Sequence, residues 1–176
     1  MSSGIIIIVA VVVIALAALA VWMWSKSKRE KQLKERFGPE YDEAVSRDGG
    51  KARKELEERQ KRVEKLQIKD LSPEQQQRFS DEWRMVQGRF VDDPRSAIRE
   101  ADRLCQQVMD ARGYPLTGFD QQAADISVDH AEVVSNYRAA HEIAQRGDDA
   151  STEDLRQAMI HYRALFGDLL GAVPVR

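Results

Sequence analysis

Three histidines, one cysteine and two pairs of adjacent aspartates are the residues of this 176-residue chain whose chemistry could build a site. His130, His141 and His161 offer imidazoles, and two imidazoles with a carboxylate would suffice to hold zinc. The spacings that announce such a site, HxxxH or HExxH on one helix or a pair of cysteines, do not occur in the sequence. Packed or half-exposed histidines are the commoner outcome, so no metal and no cofactor is expected. Asp92-Asp93 and Asp148-Asp149 are carboxylate pairs of the kind that acid–base chemistry uses. Each pair stands just before a helix start, where Asp caps the first turn and favours the macrodipole, and neither belongs to a DxDxDG calcium loop. Cys105 lies between Leu104 and Val108 on an apolar face, where a thiol packs and stays inert. As the single cysteine it excludes an internal disulfide, which fits a reducing compartment. Trp83, Phe90, Tyr137, Tyr162 and Phe166 recur at helical spacing and are core before they are a ligand box. The residues point to no enzyme.

The elements that must carry these side chains are helical by pattern. Ser72-Pro73-Glu74-Gln75 has a capping serine, proline at the first position and Gln three residues after the cap. Phe79, Trp83, Val86 and Phe90 then follow at steps of four, three and four, which is one apolar face. Asp93-Pro94 opens the next helix, which carries Ala97, Ile98, Ala101, Leu104, Cys105, Val108 and Met109 and stops at Gly113. The short Val91-Asp92-Asp93 link folds these two helices into a hairpin. A short helix follows Gly118. Asp129 is the expected cap of a helix through Arg146, and Ser151-Thr152-Glu153-Asp154 resembles a capping box for the last helix, to Leu170. Tyr114, Pro115 and Phe119 fall in a loop, either covering one end of the bundle or making a partner contact; scattered apolar residues of this kind more often cover. No stretch alternates as a strand would.

Ahead of this bundle the sequence changes character. Ile5–Trp24 (IIIIVAVVVIALAALAVWMW) holds neither a charge nor a proline. As a helix, twenty residues span roughly 30 Å, the thickness of a bilayer's hydrocarbon core. Trp22 and Trp24 suit the headgroup level, and Lys26, Lys28, Arg29, Lys31, Lys34 and Arg36 follow, while no side-chain charge precedes Ile5. The expectation is a single-pass anchor with its N-terminus outside and its body in the cytoplasm. Ala18-Leu19-Ala20 offers the alternative of a cleaved signal, with the body extracytoplasmic or secreted; the missing basic n-region and the length of the run argue against it. The run has no small-xxx-small pair to favour close dimerisation and no ionisable residue to suggest an ion path.

Residues 26–69 hold 15 Lys+Arg against 10 Asp+Glu, and residues 70–176 hold 12 against 19, so a balance of +5 lies beside the anchor and −7 beyond it. The basic part suits anionic headgroups. No Lys/Arg cluster with interleaved aromatics appears, so no nucleic acid is expected as a partner. Helices are expected to break at Gly38-Pro39 and at Asp48-Gly49-Gly50. Lys51–Leu66 then forms a charged helix whose Leu56 and Val63, seven apart, hint at a coiled coil; a solvated stalk leaning on the domain is the simpler reading. The expected organisation is all-α: an anchor (1–24), basic juxtamembrane and charged stalk helices (25–69) and a small helical bundle (70–176).

The strings RFGPEYDEAV (36–45), EWRMVQGRFVDDP (82–94), ADRLCQQVMDARGYP (101–115) and VSNYRAAHEI (134–143) resemble an uncharacterised bacterial family of single-span membrane proteins with a charged helical body. The resemblance implies this same architecture at a bacterial plasma membrane and brings no catalytic residue. The function expected is a protein-interaction or scaffold module held at the bilayer and docking an unidentified protein. The alternative is a module that binds anionic lipid or the envelope surface through residues 26–69.

Overall fold

The computed structural model describes residues 2–171, and side chains from residue 16 onward. Every regular element among the described residues is helical: α1 (Ser2–Phe37), α2 (Pro39–Asp48), α3 (Gly50–Val63), α4 (Pro73–Arg89), α5 (Pro94–Arg112), α6 (Phe119–Asp129), α7 (Ala131–Gln145), a 3₁₀ turn (Gly147–Asp149) and α8 (Thr152–Leu169). The chain divides into two units, Met1–Arg53 and Lys54–Arg176.

In the first unit α1 continues without a break from the apolar run into the basic segment. It ends at Gly38, whose φ of 49° is costly for any side-chain-bearing residue and lets Pro39 open α2 at once. Leu33, Phe37, Tyr41 and Ala52 are buried. Ion pairs within this unit include Lys34–Asp42 at 2.9 Å and Arg53–Glu30 at 2.8 Å. Among the described residues no helix is long and apolar enough to cross a membrane. Residues 5–15 of the expected span, Ile5 included, lie outside the residues whose side chains are described.

The second unit is the bundle. Its capping boxes form as their sequences require: Ser72 Oγ accepts from the Gln75 amide and Ser151 Oγ from the Asp154 amide, each third residue returning a bond to the cap amide. Asp93 caps α5 by accepting from the Ser96 amide. α8 packs against both α5 and α7, while α4 lies on α5 and α6 on α7. The apolar faces read from the sequence meet in one core, with Ala97, Cys105, Val108, Tyr137, Ala158, Tyr162 and Leu165 removed from solvent. Trp83 stacks on Phe166 with centroids 4.6 Å apart, a contact worth roughly 1 kcal/mol beyond the area it buries.

The boundary between the two units falls within α3, after Arg53; beyond it Leu56 and Val63 are buried, and Arg59 and Arg62 bond to Ser127 and Asp125 of α6. Two local expectations change. Asp129 does not cap α7; it ends α6, where it accepts the Tyr114 hydroxyl at 3.2 Å, and His130 takes the position before α7 without a side-chain capping bond. Asp148 and Asp149 sit in the 3₁₀ turn, three and two positions before the α8 cap, and Ser151 caps that helix as its capping-box sequence predicts.

Candidate functional site

Each histidine is engaged separately. The His130 ring meets the Asp168 carboxylate through Nδ1 and lies edge-on to Tyr114. His141 stacks on Phe119, with centroids 3.5 Å apart and planes 6° from parallel. His161 Nδ1 is 2.7 Å from Asn136 Oδ1. No group of three or more His, Cys, Asp or Glu able to hold a metal occurs among the described residues.

The loop residues considered for partner contact are part of the fold's cover. Tyr114 is only 2% exposed and Pro115 is half-buried, while Phe119 packs on Tyr137 and His141. Leu116 is the exposed apolar residue of this loop.

A half-buried polar cluster draws on residues of α5, α6, α7 and α8. Asp102 Oδ1 accepts the Tyr162 hydroxyl at 3.0 Å, and its Oδ2 accepts from Gln106 Nε2 at 2.8 Å. Tyr137 donates to Gln122 Oε1 at 3.4 Å. Burial raises the Asp102 carboxyl above its ordinary value, a rise that the Tyr162 bond, the nearby His141 and the Gln106 bond only partly offset. Burial also pushes up the Cys105 thiol and the Tyr162 hydroxyl, so neither supplies an anion near neutral pH. The cluster orders a core; it does not activate a nucleophile. A carboxyl whose pKa is higher folded than unfolded contributes stability that is complete below the unfolded value, about 4, and is lost as pH rises through the folded value. Asp102→Asn should therefore lose less stability than the parent over the pH range just above 4. Thermal melting of both chains across that range tests this, and identical pH slopes would contradict it.

A second polar cluster ties α3 to α6. Asp125 is 1% exposed, and its Oδ1 accepts from Arg62 Nε and from Gln121 Nε2, both at 2.8 Å. Its Oδ2 is buried with no hydrogen-bond partner among the described residues. One turn earlier in α3, Arg59 donates to Ser127 Oγ at 3.4 Å. The sequence signal for this site was a carboxylate inside the apolar string AADISV, where a solvated Asp is out of place.

On α1 the described part of the apolar run stands open. Every residue from Leu16 to Trp24 is exposed, with Trp22 at 60% and Trp24 at 70%. Lys26 Nζ lies over the Trp22 ring at 5.5 Å from its centroid and Lys28 Nζ over Trp24 at 5.6 Å. Lys31 approaches Glu35 at 3.9 Å and Lys34 pairs with Asp42. Arg29 and Arg36 are exposed on the same helix. The chain matches no family model, no curated protein and no solved structure.

Proposed function

We propose that the protein is a bilayer-anchored, non-enzymatic helical interaction module, its bundle held on the cytoplasmic face of a bacterial plasma membrane and docking a protein partner. The observation that carries this reading is the open surface of α1. Leu16, Leu19, Val21, Trp22, Met23 and Trp24 leave large apolar side chains more than half exposed, and a continuous surface of that kind calls for lipid or protein around it. The sequence upstream continues the apolar run to Ile5, giving the length a bilayer requires. The basic residues follow on the same helix, which favours a cytoplasmic body. The bundle's own exposed apolar residues near the C-terminal half of α4, Met85 and Val91, are the surface offered to a protein. A photo-crosslinking residue placed at Met85 or Val91 of the full chain in living cells should yield a discrete adduct with a second protein at one of the two. Illumination that gives no adduct at either position would overturn the docking role.

A further inference from the structure

The segment Trp22–Arg29 has features that neither a plain tether nor a surface-lying helix needs. Within α1 the cations divide into two sets. Downstream, Lys31 and Lys34 face carboxylates, as does Arg53 further along the chain, which engages Glu30. The remaining downstream cation of α1, Arg36, also has an interaction within the chain. Lys26, Lys28 and Arg29 have no carboxylate partner among the described residues, and two of them instead lie over the exposed rings of Trp22 and Trp24. Within α1 the cations without a carboxylate partner among the described residues thus fall in one turn next to the apolar run.

Its angular arrangement is specific as well. At about 100° per residue, Trp22, Lys26 and Arg29 fall within about 60° of one another on the helix. Trp24 lies about 160° from Trp22, with Lys28 about 40° further round. One ring-and-cation set therefore faces each side of the helix. A helix lying in the interface carries its aromatic and basic residues on distinct, single faces. A helix that passes through the headgroup layer meets headgroups on all sides. From Trp22 to Arg29 the axial rise is about 10 Å, close to the roughly 5–8 Å headgroup layer of one leaflet.

We infer that Trp22–Arg29 is a two-sided collar for the phosphates of anionic phospholipids in one leaflet, binding them through Lys26, Lys28 and Arg29 while Trp22 and Trp24 set the depth. The inference rests on the reading of α1 as a bilayer anchor. It replaces adsorption of the whole 26–69 segment by one turn of specific contact. The full chain reconstituted in phosphatidylcholine vesicles containing spin-labelled phosphatidylglycerol should show enrichment of that lipid at the protein surface over spin-labelled phosphatidylcholine. The triple change Lys26→Gln, Lys28→Gln, Arg29→Gln should abolish the preference, whereas Lys31→Gln with Lys34→Gln should leave most of it. Equal loss in both variants, or none in the first, overturns the collar. So does a helix axis found parallel to the bilayer plane by polarised infrared spectroscopy. A parent chain that washes off the vesicles at alkaline pH fails the anchor reading itself, and the two failures are thereby distinguished.

Discussion

Gly113→Ala is expected to lower the stability of the bundle by about 2–4 kcal/mol, a large effect for the addition of one methyl group. Gly113 ends α5 in the left-handed region, at φ 98°, and donates its amide to the last carbonyls of the helix. A Cβ there would lie 2.6 Å from the Gln67 carbonyl oxygen and 3.3 Å from its carbon. Backbone strain alone accounts for 1–2 kcal/mol of the expected loss. The remainder arises because the atom struck belongs to main chain that cannot turn aside. The segment after α3 crosses α5 here, and the Lys69 amide donates to the Arg112 carbonyl at 2.9 Å. Arg112 also donates to the Leu169 carbonyl at 2.7 Å, so one strained residue would disturb the junction of linker, α5 and α8. Hydrogen exchange of the slowest bundle amides in detergent-solubilised chain measures the change. A loss below about 1 kcal/mol, what ordinary substitutions produce, would show that Gln67 does not press on this position.

Arg62→Met should cost about 3 kcal/mol, because it leaves the Asp125 carboxylate in the protein interior without its cation. Arg62 is itself 40% exposed along its side chain, so the loss comes from stranding Asp125, not from the intrinsic worth of the pair. The double change Arg62→Met with Asp125→Leu should recover most of the lost stability. Urea unfolding of the three chains gives the comparison. Equal stability of the single variant and the parent would mean that Asp125 is held by Gln121 alone. The single variant should also speed exchange at the α3 amides, since Arg59 and Arg62 both hold that helix to α6.

Much of the helical layout was legible because it is written in local chemistry. Ser72-Pro73 and Asp93-Pro94 mark helix starts that need no tertiary context, and Phe79, Trp83 and Val86 reveal their buried face by spacing alone. What the sequence hid depends on contacts distant along the chain. Asp102 lies at the margin of an apolar face, and only the approach of Tyr162, sixty positions on, makes it the acceptor of a buried hydroxyl. Asp125 and Arg62 are likewise joined across 63 positions. The sequence marks Gly113 as a helix stop, which it is, but its closeness to Gln67 leaves no trace in spacing. Asp129 followed the usual capping rule on paper and lost that role because α6 extends through it. The basic cluster that follows the apolar run was legible in its residue types. Which of its cations are already neutralised by neighbouring carboxylates emerged only from the folded geometry.

The proposal that α1 crosses a bilayer meets its most direct test in membranes from cells producing the full chain, washed with alkaline carbonate. A bilayer-spanning α1 predicts that the chain stays in the sedimented membranes, as integral proteins do, because no change of charge releases an apolar helix from hydrocarbon. Recovery of the chain in the wash would contradict it, and would mean that the exposed surface from Leu16 to Trp24 is covered by something other than lipid.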